Sequence, residues 1–202
     1  MLLAALTGNI ASGKSYVARL LRQKGAFVVD ADHLARDAVA PGSAGLNAIR
    51  ARWGDKVMAL DGTLDRATLR RIVFANATER EALNAIVHPE VERLRALAVA
   101  AARSRGERIV ICDIPLLYEK HLENQFDLVM LVDAPDDLRL ARLTVLRGLT
   151  DDEARAMMQA QLPSAGKRQR ADIIIDNHDS LFALESRVDA VWPELLARAA
   201  RS

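Results

Sequence analysis

The sequence predicts an α/β fold in which helices cover both faces of a parallel sheet. Short apolar runs bounded by turn residues alternate along the chain with segments that carry apolar residues at helical spacing. The runs are apolar at every position, as expected for strands that are buried on both sides. The chain has 202 residues, of which 50% are hydrophobic and 27% charged, and this suits one domain with a sizeable core.

Five apolar runs are the predicted strands, in order Leu2–Leu6, Phe27–Val29, Ile109–Cys112, Leu128–Val132 and Asp172–Asp176. Helices are expected between them. The first contains Tyr16 to Leu21 and stops at Lys24-Gly25, and the last runs from Leu181 to Ala200.

Turn and capping residues indicate where the intervening helices begin and end. A short helix from Leu46 to Trp53 is closed by Gly54, and Asp61-Gly62 is a turn signal. Capping boxes at Thr78–Glu81 and Thr150–Glu153 each predict a helix start. A long helix is expected from Pro89, which opens it, to about Arg105, before Gly106.

The segment from Gly8 to Ser15 matches the phosphate-loop pattern G-x-x-x-x-G-K-[ST] between the first strand and the first helix. Glycines let the backbone wrap around phosphates, and the helix N-terminus favours negative charge. In this interpretation Lys14 reaches the β- and γ-phosphates and Ser15 ligates magnesium. The alternative is a glycine-rich turn with a solvated lysine, which leaves Lys14 and Ser15 unexplained.

Aspartates follow the second and third strands, at the edge where a parallel sheet binds ligands. Asp32 is the candidate for accepting or orienting the proton of an attacking hydroxyl, and its alternative is the N-cap of the next helix. Asp30 either bonds loop amides or is a simple strand-end carboxylate. Asp113 either organises the magnesium shell or is a turn residue.

The stretch from Arg139 to Arg170 is rich in cations, as expected for a flap that closes over a γ-phosphate. Arg142 and Arg147 are the stronger candidates, because they lie on the helix after the fourth strand and at its junction with the flap. For Arg139, Arg155 and Lys167 a solvated helix face is the preferred interpretation.

Composition argues against several other classes of function. A formal charge of +1 gives no electrostatic case for nucleic acid or a membrane as the main partner. Cys112, the single cysteine, is expected to be a core thiol. No apolar segment approaches the ~20 residues of a membrane span, and the N-terminus lacks the basic region of a secretory leader. We therefore expect a cytoplasmic protein.

Further motifs add a family resemblance over essentially the whole chain. They are Asp30-Ala31-Asp32, Asp61 to Arg66, Leu83 to Pro89, Asp113 to Glu119, Val132 to Pro135 and Asp172 to Asn177. Together with the phosphate loop, this ordered set resembles the dephospho-coenzyme A kinase family.

The resemblance implies a three-layer P-loop NTPase fold with a five-stranded parallel sheet. It implies a core (1–62, 90–143 and 172–202), a helical acceptor-binding segment at about 63–89, and a flap at about 144–171. Members of the family transfer the γ-phosphoryl group of ATP, with Mg²⁺, to the ribose 3′-hydroxyl of dephospho-coenzyme A. We expect ATP and dephospho-coenzyme A as the partners, and a monomer.

The predicted site residues follow from the motifs and the resemblance together. The catalytic residues are Asp32, Lys14 and Arg142, and the metal ligands are Ser15 and Asp113. The nucleotide-binding residues are Gly8, Ala11, Ser12, Gly13, Lys14, Ser15, Tyr16, Arg147 and Asn177. The acceptor-binding residues are Asp32, Arg70, His88, Pro115 and Leu116. Without the resemblance, Arg70 would be a surface charge, His88 a neighbour of Pro89 at a helix start, and Asn177 a turn residue.

Three positions depart from the family pattern. Asn9 stands where glycine is usual, Tyr16 where threonine is usual, and Gly148 where an acidic residue is frequent. Asparagine tolerates left-handed backbone angles, so the loop is expected to form. Two other functions remain open: another small-molecule P-loop kinase, and a nucleotide-gated switch. The Asn-Lys-x-Asp segment with which switch GTPases read the base is missing from the sequence.

Overall fold

The computed structural model describes residues 1–201 and divides the chain into two compact units. The first unit contains Met1–Val29 and the chain from Ala102 onward, and the second contains Asp30–Ala101. The predicted acceptor segment, 63–89, lies within the second unit. Within residues 1–201, no helix has both the length and the hydropathy needed to cross a bilayer.

All five predicted strands are present. They are β1 (Leu2–Thr7), β2 (Phe27–Asp30), β3 (Ile109–Asp113), β4 (Leu128–Asp133) and β5 (Ile173–Asp176), in the spatial order β2-β3-β1-β4-β5. β1 pairs in parallel with β3 and with β4, and β4 pairs in parallel with β5. The fold is the expected α/β arrangement with a five-stranded parallel sheet. Its central strand, β1, delivers the chain directly into the phosphate loop.

Nine α-helices lie within the described chain. They are α1 (Lys14–Gln23), α2 (Ala31–Asp37), α3 (Ala44–Trp53), α4 (Arg66–Ala75), α5 (Ala77–Ser104), α6 (Asp136–Ala141), α7 (Asp151–Gln159), α8 (Ser164–Arg168) and α9 (Leu181–Ala199). A π-helix, Arg142–Leu146, continues α6, and Asp55–Val57 and Glu123–Gln125 are short 3-10 turns.

The core of the first unit lies on the sheet. Alternate residues of the strands, such as Leu6 and Met130, pack with Leu21 of α1 and Leu184 of α9. The residues between them, such as Val129, are buried as well. Burial on both sides explains why the strands are apolar at every position. Cys112 is buried in β3, as expected. The second unit has a separate core, which contains Ile49, Trp53, Val57, Leu69 and Val73.

A helix begins close to the predicted start at Thr78–Glu81, but its predicted cap and the second predicted start, at Pro89, are wrong. A single helix, α5, replaces the two expected ones, and Pro89 lies in its interior rather than at its first turn. Its first amides are capped by the Asn76 side chain, which accepts from Thr78 N at 2.9 Å, so Thr78 is not the cap. Proline removes one helix hydrogen bond at a cost of about 3 kcal/mol. The helix persists because Leu83, Ile86 and Val87 pack against the core of this unit.

The predicted start at Thr150 and two predicted helix ends agree with the structure. The capping box of Thr150 and Glu153 forms in full at the start of α7. Gly54 and Gly106 adopt positive φ angles just after α3 and α5, where a residue with a Cβ would be strained.

Candidate active site

The phosphate loop joins β1 to α1 and turns through two left-handed residues. These are Gly13, with φ of 95°, and Ala11, with φ of 60°. The loop forms, as expected, but the reason given is wrong, because Asn9 does not adopt a left-handed backbone angle. Its buried side chain instead donates from Nδ2 to the Leu162 carbonyl at 3.3 Å.

Both glycines of the motif lie where other chain segments approach the loop closely. A Cβ on Gly8 would lie 2.5 Å from the Val132 carbonyl oxygen, and one on Gly13 would lie 2.1 Å from Asn177 Nδ2. These approaches are shorter than a carbon atom allows. Gly13 is therefore required both by the turn and by its surroundings, and Gly8 by its surroundings.

Three consecutive carbonyl groups of the loop are bound by side chains from outside it. The Ile10 carbonyl accepts from Arg139 Nη1 at 3.5 Å, and the Ala11 carbonyl accepts from Arg142 Nη1 at 3.0 Å. The Ser12 carbonyl accepts from Asn177 Nδ2 at 2.7 Å. These donors offset the negative ends of the peptide dipoles. The loop is thereby suited to an anion, which amide N–H groups attract and carbonyl oxygens repel.

Charged and polar groups follow at the start of α1. Lys14 forms an ion pair with Asp113, and both side chains are largely buried. Ser15 is exposed. The Tyr16 hydroxyl donates to the Glu185 carboxylate, and this hydrogen bond raises the pKa of Tyr16.

The cations after β4 differ in their surroundings. Burial lowers the pKa of Arg142, which also donates from Nη2 to the Asn177 carbonyl at 3.2 Å. Arg147 is exposed beyond the π-helix. Arg155 is exposed and pairs with Asp151, in agreement with the preferred interpretation.

For Arg139 and Lys167, the expectation of a solvated helix face is wrong. Arg139 is 3% exposed and pairs with Asp136. Lys167 is 1% exposed and pairs with Glu119 at 2.6 Å. Both side chains have acceptors within the first unit: the Ile10 carbonyl and Asp136 accept from Arg139, and Glu119 accepts from Lys167.

The second half of the predicted flap is tied to the carboxyl ends of β4 and β5. Arg168 Nη1 donates to Asp133 at 2.7 Å and to Asp176 at 2.6 Å, and these bonds raise the pKa of Arg168. Ser164 also donates to Asp133. Asn177 follows β5, and its own N–H donates to the Asp133 carbonyl at 2.7 Å. The strand-end motifs that include Asp133 and Asp176 therefore bind α8, which lies within the predicted flap.

Asp32 lies in the first turn of α2, in the second unit. The N-cap of this helix is Asp30, whose Oδ1 accepts from Asp32 N at 2.8 Å and from His33 N at 3.2 Å. Asp32 is therefore not the N-cap of α2. Asp30 binds two backbone amides, so the interpretation of it as a simple strand-end carboxylate is wrong. The Asp32 side chain is exposed, and its backbone is fixed by Asp30.

A groove of about 340 Å³ opens in the second unit beside α4. Its apolar lining includes Leu69, Val73 and Phe74, and two arginines, Arg66 and Arg70, also line it. Among residues 1–201 neither arginine has a salt-bridge partner. The groove therefore offers apolar contact and positive charge together. His88 lies on the exposed side of α5 and does not line this groove.

Pro115 and Leu116 follow β3 in the first unit. The Pro115 carbonyl accepts from Thr7 Oγ1 at 3.3 Å, and Leu116 is partly exposed. Sequence reasoning missed Glu119, which ends the same motif, and Gln161, whose Oε1 accepts from Ile10 N at 2.7 Å. The motif Asp113 to Glu119 was a sequence signal that could have identified Glu119. No sequence signal pointed to Gln161, because its partner, Ile10, is about 150 residues away.

A loop suited to phosphate, followed by a helix and a buried lysine–aspartate pair, is typical of a P-loop kinase. Comparison with known proteins identifies the family. The sequence matches the family model CoaE, dephospho-CoA kinase, over residues 2–182. The dephospho-CoA kinase of Streptomyces avermitilis is 48% identical, over 98% of this chain and 96% of its own. The chain therefore belongs to the dephospho-CoA kinase family.

Solved structures agree with the fold. TT1252 from Thermus thermophilus superposes with a TM-score of 0.78 at 37% identity, over 96% of this chain and 97% of its own. Dephospho-CoA kinase from Campylobacter jejuni gives a TM-score of 0.74 at 24% identity and supports the fold. It covers 96% of this chain and 97% of its own.

Proposed function

We propose that the protein transfers the γ-phosphoryl group of ATP to the ribose 3′-hydroxyl of dephospho-coenzyme A, which yields coenzyme A and ADP. Membership of the family supports this reaction. The observation that supports ATP binding is the phosphate loop. Three of its consecutive carbonyl groups are bound from outside by Arg139, Arg142 and Asn177. Such a loop needs little reorganisation when an anion binds.

In the donor half, Lys14 would exchange its ion pair with Asp113 for contact with the transferring phosphoryl group. A cation at that point stabilises the charge that develops in the transition state. The remaining loop residues, with Tyr16, Arg147 and Asn177, would bind the nucleotide. Arg142 would act catalytically from its position beside the loop, where it donates to the Ala11 carbonyl.

The residues proposed for Mg²⁺ fit that ion chemically. Ser15 offers an exposed hydroxyl and Asp113 a carboxylate, and Mg²⁺ prefers hard oxygen ligands. No cluster of three or more His, Cys, Asp or Glu arranged to hold a metal occurs among the described residues. Two side chains suit Mg²⁺, which usually keeps several waters and shares substrate phosphates. Bound there, the ion would offset phosphate charge.

In the acceptor half, the groove of the second unit matches the chemistry of dephospho-coenzyme A. Arg66 and Arg70 suit its pyrophosphate, and the apolar lining suits its pantetheine arm. Asp32, exposed in the first turn of α2, would accept the proton of the attacking hydroxyl. His88, Pro115 and Leu116 remain proposed acceptor contacts, and a monomer in the cytoplasm remains our prediction.

The test is a coupled assay of ATP consumption with and without dephospho-coenzyme A, with the phosphorylated position assigned by NMR. Consumption is expected to depend on the acceptor, and AMP and adenosine should be much poorer acceptors. The pyrophosphate and pantetheine arm supply binding energy that orients the hydroxyl. Equal or faster turnover with AMP or adenosine would point to another small-molecule kinase.

A further inference from the structure

Two neighbouring residues of the phosphate loop bond reciprocally with two neighbouring residues of the flap. Asn9 Nδ2 donates to the Leu162 carbonyl at 3.3 Å, and Ile10 N donates to Gln161 Oε1 at 2.7 Å. Each segment thus supplies one side-chain amide and one backbone group. We call these four residues the clasp.

The clasp is held from behind by a buried ion pair. Leu162 N donates to Glu119 Oε1 at 3.0 Å, and the same oxygen accepts from Lys167 Nζ at 2.6 Å. Both backbone groups of Leu162 are therefore bound, one by Glu119 and one by Asn9. The flap cannot leave this position without breaking several bonds at once.

We propose that Gln161 and Asn9 are positioning residues, which hold the flap on the tip of the phosphate loop and so favour transfer over hydrolysis of ATP. A flap that stays on the loop excludes water from the γ-phosphoryl group. The assignment rests on the proposed function. A glycine at position 9 could not donate to the Leu162 carbonyl, so this contact depends on the asparagine side chain.

Amide exchange tests the clasp without any substrate. Ile10 N is expected to be protected in the nucleotide-free protein, and Gln161→Ala should speed its exchange roughly 3- to 10-fold, the size of one hydrogen bond. The matched control is Gln159→Ala, because Gln159 is exposed two positions earlier and makes no bond to the loop. Equal exchange of Ile10 in the two variants, measured by NMR, would overturn the proposal.

Kinetics test the consequence. The measured quantity is ATP hydrolysis without acceptor divided by transfer to dephospho-coenzyme A. Gln161→Ala should raise this ratio roughly 3- to 10-fold, and Asn9→Gly less, because its bond is longer. Asn9→Asp, which replaces the donor by an acceptor, should raise it at least as much as Asn9→Gly.

A merely structural defect would lower hydrolysis and transfer together and leave the ratio unchanged, and that result would refute the positioning role. A ratio in Gln161→Ala equal to that in Gln159→Ala would refute it as well. If the wild-type protein transfers no phosphate to dephospho-coenzyme A, the proposed function fails, and the exchange experiment still decides whether the clasp exists.

Discussion

Removing either partner of the buried Lys167–Glu119 ion pair should destabilise the protein, and the loss of stability should depend on which partner is removed. Glu119→Gln leaves the lysine charge at a site that is 1% exposed, whereas Lys167→Met leaves a carboxylate that is 17% exposed and still accepts from Leu162 N. Breaking a buried ion pair costs about 3–5 kcal/mol of unfolding free energy. We expect a loss in this range for Glu119→Gln and about 2 kcal/mol for Lys167→Met, which leaves a partly exposed carboxylate with one hydrogen bond.

The double variant should be more stable than the sum of the two losses predicts, because it leaves no unpaired charge. Urea unfolding at pH 7 measures all four proteins. In a chain of this size, Glu119→Gln should lower Tm by roughly 10 °C. Losses below about 1 kcal/mol for both single variants, or strict additivity, would refute the reasoning.

The stabilisation that Glu119 provides should depend on pH in a definite direction. Burial works to raise the pKa of Glu119, but the hydrogen bonds from Lys167 and Leu162 N outweigh it and leave the pKa lowered from its ordinary value of 4.5. The carboxylate therefore contributes its full stability above pH 4.5 and loses it as the pH falls through the lowered folded-state pKa. The difference between wild type and Glu119→Gln should be constant near neutrality and shrink below pH 4.5.

Three further predictions concern turnover. Lys14→Ala should reduce turnover by roughly 10²-fold or more, because the transition state loses its nearest cation; a folded variant that keeps a tenth of wild-type turnover would contradict the donor-site assignment. Asp32→Asn should reduce turnover about 10²- to 10⁴-fold and change substrate binding much less, as steady-state kinetics and calorimetry on one preparation can measure; normal turnover would exclude a catalytic role. Arg70→Ala should strongly reduce turnover of dephospho-coenzyme A and leave background ATP hydrolysis nearly intact. Arg71→Ala is the control, because Arg71 does not line the groove and donates to Thr68 at 2.8 Å. Equal effects of the two variants would remove Arg70 from the acceptor site.

Local signals in the sequence predicted the elements that depend on few residues. The phosphate-loop pattern, the five apolar runs and the capping box at Thr150 agree with the structure because each is decided by neighbours in the chain. Pro89 shows where this reasoning fails. A proline is a local signal for a helix start, but the packing of Leu83, Ile86 and Val87 outweighs the lost hydrogen bond and carries α5 through it.

Side-chain roles were predicted less well than elements, because the partners lie far apart in the sequence. Arg139 and Lys167 look like solvated charges on short helices, and both are buried. Asn9 was expected to matter for its backbone angles, and its side chain instead donates to the Leu162 carbonyl. Only the folded chain brings such partners together. A buried charge without a partner is costly, so the side chain adopts the rotamer in which it is paired.

The sequence by itself determined the α/β class, the order of the strands along the chain, the phosphate loop and the family pattern. These depend on hydrophobic periodicity, glycine placement and short motifs, all of which act over a few residues. The tertiary structure alone decided that Arg139, Arg142 and Asn177 bind consecutive loop carbonyls, and that Gln161 bonds the loop tip. Those contacts join residues more than 120 positions apart, and no local pattern encodes such a pairing.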